Sequence, residues 1–185
     1  MTALSVRLYH SPLPMNHDRK YWLTMALYTN ARGFAFVVFE GALSPYDWGV
    51  VEIRGLKKDS QITDKVKALL GRYAPDVLVM QDMSPEGTRR ANRLAVLNNE
   101  LGSLARERGI PVFAYSRAEV YSAFRSMGFA NKQMLAALIA KHIPAFERHV
   151  PPPRKPWMSE DARMGLFDAA ALALVFFQKA GLEQS

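Results

Sequence analysis

The sequence contains no cysteine among its 185 residues, so disulfide bonds and thiolate zinc sites are excluded. Histidine is scarce as well, and His10, His17, His142 and His149 follow no metal-ligand spacing. No apolar run approaches the roughly 20 residues that span a membrane, and the first residues lack the pattern of a secretory signal. We therefore expect a cytoplasmic protein with no membrane partner.

Acidic residues are outnumbered by basic ones, 17 against 24, which gives a formal net charge of +7. Basic surfaces gain affinity for nucleic acids because counterions are released from the phosphates. This composition favours a nucleic-acid partner, and a well-solvated basic surface is the alternative. The length and the 49% of hydrophobic residues fit one globular domain.

The first half of the chain indicates an antiparallel meander. Residues 1–20 have no periodicity and are predicted to be an irregular arm, followed by a single domain over 21–182. Three β-prone runs follow at 22–28, 34–39 and 48–53, separated by short turn-forming segments.

Beyond this meander the pattern alternates between helical and extended segments. Continuous apolar runs at 77–80 and 110–114 indicate buried parallel strands. Leucines at helical spacing predict a helix between them, and Ser116 with Glu119 predicts a capping box for the next helix. The predicted order is βββ-α-β-α-β-α-α-α.

Asp168 interrupts the apolar run of the last predicted helix. A carboxylate in such a place is costly unless it is paired, hydrogen-bonded or bound to metal. Ser159 is predicted to cap this helix, with Glu160 and Asp161 in its first turn. Asp161 would then lie on nearly the same face as Asp168, roughly 10 Å along the axis.

The order of these elements resembles the RNase H-like fold, and the motifs resemble the RuvC-like Holliday junction resolvases within it. The resemblance covers roughly residues 21–178. It implies an α/β fold in which three antiparallel strands and two parallel strands form one mixed sheet with helices on both faces. The motifs are RGFAF at 32–36, DWGV at 47–50, PDVLVMQD at 75–82, KPWMSED at 155–161 and FDA at 167–169.

RuvC-like resolvases are Mg²⁺-dependent nucleases that act on branched DNA, usually as dimers. The resemblance therefore implies Mg²⁺ or Mn²⁺ as cofactor, branched DNA as partner and a homodimer. Their acids come from the first strand, the fourth strand and the last helix, and hold two hard cations about 4 Å apart. The candidate catalytic acids in this chain are Asp168, Asp82, Asp161 and Glu40, of which Asp82 and Asp168 are the candidate metal ligands.

The resemblance also shows departures from the family pattern. Tyr28 stands where the first-strand aspartate is expected, Gln81 where the fourth-strand glutamate is expected, and Gly165 where a second acid of the last helix is often found. A second register takes Glu40 as the first-strand acid, but it leaves the meander one strand short. Asp82 follows Gln81 directly and is either a ligand at a frayed strand end or a turn residue.

Several cations are candidates for nucleic-acid binding. Lys132 stands where RuvC-like proteins often carry a lysine near the scissile phosphate, and Trp157 either stacks on an unpaired base or anchors its segment by packing. For each cation a solvated surface position is the alternative. The candidate cations are Lys132, Arg89, Arg90, Arg93, Arg154 and Lys155.

Two functional hypotheses follow. The first is a metal-dependent endodeoxyribonuclease of the Holliday junction resolvase kind. The second is a catalytically inactive protein of the same fold that binds nucleic acid or another protein. An actin-like phosphotransferase is disfavoured, because residues 28–31 lack the acidic, glycine-rich hairpin that binds phosphate in that class.

Overall fold

The computed structural model describes residues 23–83, 89–128 and 131–181. Its strands are β1 (Leu23–Asn30), β2 (Gly33–Glu40), β3 (Pro45–Glu52), β4 (Val77–Gln81) and β5 (Val112–Tyr115). They form a mixed sheet in the order β3-β2-β1-β4-β5. The first three strands pair antiparallel, whereas β4 and β5 join the sheet in parallel. The predicted sheet is confirmed.

Helices cover both faces of this sheet, as predicted. One face carries α1 (Lys58–Tyr73) and α2 (Arg89–Arg106), and the other carries α3 (Arg117–Phe124), α4 (Lys132–His142) and α5 (Met164–Lys179). Two short 3₁₀ helices span Arg125–Met127 and Pro144–His149. Among the described residues, no helix has the length and apolar character to cross a membrane.

The core has two layers because side chains alternate along the strands. Met25 and Leu27 of β1 face α1 and α2, whereas Ala26 between them faces α5. Helix α5 is rich in small buried residues, including Ala169 and Ala170, which let its backbone come close to the sheet. The chain therefore places α5 directly over β1 and β2.

Glycine is required at position 33, where β2 begins. A β-carbon on Gly33 would lie 2.0 Å from the carbonyl oxygen of Val51 on β3. The preceding turn is closed by Asn30, whose Oδ1 accepts hydrogen bonds from the backbone N–H groups of Arg32 (2.8 Å) and Gly33 (3.1 Å). These contacts fix the end of β1 at which the candidate site lies.

The structure excludes the alternative register of the first strand and corrects the predicted start of the last helix. The second register fails because Leu23–Asn30 forms β1, and Glu40 ends β2. Ser159 does not cap the last helix, which begins at Met164. Asp161 lies before that helix because its carboxylate accepts a hydrogen bond from the backbone N–H of Arg163 at 2.9 Å and so forms a turn there.

Candidate functional site at the carboxyl end of the central strands

Tyr28 and Gln81 lie side by side at the carboxyl ends of β1 and β4. The two strands pair in parallel up to Leu27 opposite Met80, so the next residue of each strand reaches the same edge of the sheet. Ala26, two residues before Tyr28, faces α5, and strand alternation places both Tyr28 and Gln81 on that side. The two positions that lack the expected acids are therefore neighbours.

A buried asparagine of α2 ties these two strand ends together. The Thr29 hydroxyl donates a hydrogen bond to Asn98 Oδ1 at 2.6 Å, and Asn98 Nδ2 donates to the carbonyl oxygen of Gln81 at 3.0 Å. Thr29 and Asn98 are both buried, so these bonds satisfy polar groups that water does not reach. They hold the edge of the sheet in register from the side opposite α5.

Helix α5 packs on the other side with its first turn against the strands. A β-carbon on Gly165 would lie 3.2 Å from the Ala35 β-carbon and 3.8 Å from Cδ1 of Tyr28. A larger side chain at this position would press on the sheet. Asp168 comes one turn later, with 15% of its side chain exposed, and reaches the same edge.

The ammonium of Lys132 occupies the centre of this arrangement. Asn131 caps α4 by accepting a hydrogen bond from the backbone N–H of Met134, and Lys132 is the first residue of that helix. Its Nζ lies 2.8 Å from Oδ2 of Asp168 and 3.0 Å from Oε1 of Glu160. It also lies 5.5 Å from the centre of the Tyr28 ring, within range of a cation–π interaction.

Burial and charge together set the protonation of this cluster. Burial raises the pKa of Asp168, and the Lys132 ammonium opposes that shift. Burial acts to lower the pKa of Lys132, but the charge of Asp168 and the hydrogen bonds to Asp168 and Glu160 outweigh it and raise the pKa. Burial and the Asp168 charge raise the pKa of Tyr28, which therefore stays neutral at pH 7.

A cleft of about 530 Å³ opens at these strand ends. Glu160, Asp161 and Asp168 line it, together with Tyr28 and Gln81. A fourth carboxylate of the lining, Glu52, lies 3.4 Å from Nη1 of Arg32, and the three acids named above also have cationic partners. Asp161 pairs with the Arg163 guanidinium at 2.7 Å, and the other two share the ammonium described above. Hydrogen bonding from Arg163 lowers the pKa of Asp161. The negative charges of the cleft are thus balanced by cations of the same chain.

Comparison with solved structures decides the fold. RuvC of Thermus thermophilus in complex with a Holliday junction substrate superimposes with a TM-score of 0.63 and 19% identity, covering 86% of this chain and 97% of that one. The yeast mitochondrial Holliday junction resolvase Ydc2 gives a TM-score of 0.61 and 14% identity, covering 88% and 80%. The chain has the RuvC-like resolvase fold. No family profile and no curated protein matches its sequence.

On this resolvase fold, the predicted acids are divided between two ends of the sheet. Asp168 and Asp161 lie in the cleft. Asp82 is exposed just after β4, with its backbone N–H bonded to the Tyr115 carbonyl, and its side chain is not part of the cleft lining. Glu40 pairs with Leu23 at the opposite end of β1, about 17 Å of extended strand from Tyr28.

The predicted nucleic-acid-binding cations are also separated by the resolvase fold. Lys132 lies in the cleft cluster, and Arg154 and Lys155 lie in an exposed segment that leads into it. Arg93 lies elsewhere, with Nη2 3.5 Å from Asp59 of α1, between the two helices of the opposite face. Arg89 and Arg90 begin α2, and their side chains fall outside the described part of the structure.

Sequence reasoning gave no role at this site to Glu160, Arg32 or Arg117. Glu160 appeared as a helix-start acid, but it binds the Lys132 ammonium. Arg32, which precedes the essential Gly33, donates a hydrogen bond to the backbone carbonyl of Glu160 and so closes one side of the cleft. Arg117 acts on Asp168 by charge, and no sequence pattern marked it.

The donor set does not fit the two divalent ions of a RuvC-like resolvase. Within residues 23–83, 89–128 and 131–181, no three acidic or histidine side chains converge as a metal site. Tyr28 and Gln81 supply a neutral phenol and an amide where carboxylates are expected, so they add no negative charge to balance two divalent ions. Asp168 is already bound to an ammonium.

Proposed function

We propose that this protein binds branched DNA at the cleft formed by the carboxyl ends of β1 and β4, and that it does not cut DNA there by a two-metal reaction. The fold supports the first part, since a RuvC with this fold was solved with a Holliday junction. The net charge of +7 agrees with a polyanionic partner.

The observation that carries the proposal is the Lys132 ammonium held by Asp168 and Glu160. A divalent ion at this point would have to displace a cation whose raised pKa keeps it charged. The same ammonium reduces the repulsion that Asp168 and Glu160 would exert on a phosphate. The cleft therefore accepts a DNA backbone without a metal ion to bridge it.

The decisive experiment compares binding and cutting on the same DNA. Labelled four-way junction, linear duplex and single strand are incubated with the purified protein in EDTA, in Mg²⁺ and in Mn²⁺, beside an Asp168→Asn variant. We expect tighter binding to the junction than to the duplex in EDTA, and no cleavage with either metal. Metal-dependent cutting that the variant loses would overturn the non-catalytic part, and absence of DNA binding would overturn the proposal as a whole.

The exposed cations beside the cleft give a second test. A protein with Arg154→Met and Lys155→Met is compared with one carrying Lys65→Met and Lys67→Met, which removes two exposed charges from α1. The first pair of substitutions should lower the number of counterions released on junction binding by about two, as read from the salt dependence of the affinity. The second pair should leave that number unchanged. Equal effects of the two pairs would place the DNA elsewhere.

The homodimer implied by the resemblance belongs to the same proposal. A four-way junction has two halves related by a two-fold axis, so each copy in a two-fold symmetric dimer can contact an equivalent half. Sedimentation of the free protein and of its junction complex counts the copies, and two copies per junction are expected. A single copy in the complex would contradict this part alone.

A further inference from the structure

We infer that Trp157, together with Lys155, forms a stacking site for an unpaired base at the branch point of DNA. This inference rests on the proposed DNA binding and adds which nucleotide state the protein selects. The site lies in residues 152–159, which we call the basic strap. Every residue of the strap is exposed.

The basic strap is held at both ends by elements of the cleft. At its start, the Pro151 carbonyl accepts a hydrogen bond from Nε2 of Gln133 at 2.6 Å, one residue after Lys132. At its end, the Glu160 carbonyl accepts one from Arg32. A turn within the strap is closed by the Met158 N–H, which donates to the Lys155 carbonyl at 3.0 Å. The strap is thus anchored beside the cleft.

Trp157 is 78% exposed, which rules out the interpretation that it anchors its segment by packing. Trp48 of the same chain shows the contrast, because its ring packs edge-on against Phe146 at 5.1 Å and its indole N–H is bonded to His149. An indole left in water next to a binding cleft has a large flat apolar face available for a ligand. Glu160 is three positions further along the chain, a reach of at most about 11 Å.

The charges around this ring identify the chemistry of the ligand. Nζ of Lys155 lies 5.5 Å from the centre of the Trp157 ring, and Arg154 precedes it in the strap. A nucleotide is complementary to this site, because its base can stack on the indole while its phosphate contacts the cations. Paired bases inside a duplex cannot stack on the ring, whereas an unpaired base at a branch can.

The test uses three DNAs of equal length: a perfect duplex, a fully paired four-way junction, and the same junction with one unpaired 2-aminopurine at the crossing. Trp157→Ala should bind the third DNA roughly 5- to 150-fold less tightly than the natural chain, the range expected for the loss of one stacked base. Its duplex affinity should be unchanged, and Trp157→Phe should recover much of the loss. The 2-aminopurine fluorescence should be quenched by the natural chain and not by Trp157→Ala.

Tyr46→Ala is the matched control, because Tyr46 is also an exposed aromatic residue, at 58%, but is the second residue of β3, at the end of the sheet away from the cleft. If the natural chain binds no junction, the proposed function fails. If the natural chain binds the junction and Trp157→Ala binds each of the three DNAs as tightly as the natural chain does, only this inference fails. A change in sedimentation without a change in base selectivity would assign Trp157 to a contact between protein copies and would also overturn the inference.

Discussion

Nζ of Lys132 lies 2.8 Å from Oδ2 of Asp168, a residue 36 positions later in the sequence. This pair connects the first residue of α4 to the second turn of α5, over the ends of the central strands. With 21% and 15% of their side chains exposed, both groups are shielded enough for the pair to differ from a surface ion pair. Its removal should therefore be measurable.

Replacing Lys132 tests how much this ion pair contributes to the stability of the fold. Lys132→Met leaves a largely buried carboxylate without its ammonium and should lower the free energy of unfolding at pH 7 by about 1–3 kcal/mol. The measurement is urea denaturation, with exposed Lys67→Met as the control for loss of one charge. In an Asp168→Asn background, the cost of Lys132→Met should be much smaller. An unchanged cost there would show that the two residues are not coupled.

The deficit of Lys132→Met should also depend on pH. Burial raises the pKa of Asp168, and a carboxyl with a raised pKa in the folded state binds protons more readily there than in the unfolded chain. Its effect makes stability fall as pH rises above about 3.9, the ordinary pKa of aspartate. Because the Lys132 ammonium opposes this rise, its removal raises the pKa of Asp168 further, and the deficit of the variant should be smaller at pH 4 than at pH 7. A constant deficit over this range would contradict the role of Asp168.

Restoring the missing acids should create a metal site. A double variant with Tyr28→Asp and Gln81→Glu adds two carboxylates at adjacent strand ends beside Asp168. It should bind Mn²⁺ at least about tenfold more tightly than the natural chain, as measured by electron paramagnetic resonance of free Mn²⁺. Tyr28→Asn is the matched control, since it removes the ring and adds no charge. Equal Mn²⁺ binding by the natural chain would refute our account of its donor set.

The same glycine-to-alanine change should have opposite effects at two positions. Gly33→Ala places a β-carbon 2.0 Å from the Val51 carbonyl oxygen, so β2 and β3 must separate, at a cost of roughly 2–3 kcal/mol. Gly71 lies inside α1 with nothing within 4 Å of the added carbon, and its replacement should stabilise the protein by about 0.5–1 kcal/mol. Thermal unfolding of the two variants decides both signs. Destabilisation by both would show that α1 does not tolerate the change.

Glu119 should contribute to stability in acid. A hydrogen bond from Lys179 and one from the Ser116 backbone N–H lower the pKa of its carboxyl. A group with a lowered folded pKa gives stability that is present above its ordinary value near 4.3 and is lost as pH falls through the folded pKa. Because the side chain is 44% exposed, Glu119→Gln should cost only about 0.5 kcal/mol at pH 7 and little at pH 3. Denaturation at both pH values tests this, with exposed Glu107→Gln as the control.

The strands were predictable because their hydrophobic pattern is local. The nearly continuous apolar runs of β1, β2 and β4 mark each of them as a buried strand. The start of β3 at Pro45 was missed, since this edge strand is only partly buried and its first residues carry no apolar pattern. The capping box of α3 was predicted from Ser116 and Glu119 and is confirmed.

The interior of the cleft was less predictable because it depends on side chains from distant segments. Asp168 was found from sequence since a charge in an apolar helix is locally anomalous. Lys132 was a candidate only through the family resemblance, and its pairing with Asp168 was not predicted, because a lysine at a helix start has the same local pattern as any solvated lysine. Glu160 was misassigned since the turn at Asp161 delays the start of α5, and such a turn depends on a hydrogen bond that composition does not specify.

Tyr28 and Gln81 are at the ends of their strands, at the rim of the sheet, whereas the residues that hold the layers together lie further inside. Substitution at these two places changes the ligands that the cleft can hold while the layers underneath keep their packing. The ligands of the cleft and the packing of the layers therefore depend largely on different strand positions, and the buried Lys132–Asp168 pair contributes to both. A scaffold of this kind allows the charge of its cleft to change through a few exchanges at one edge, without a new solution to the folding problem.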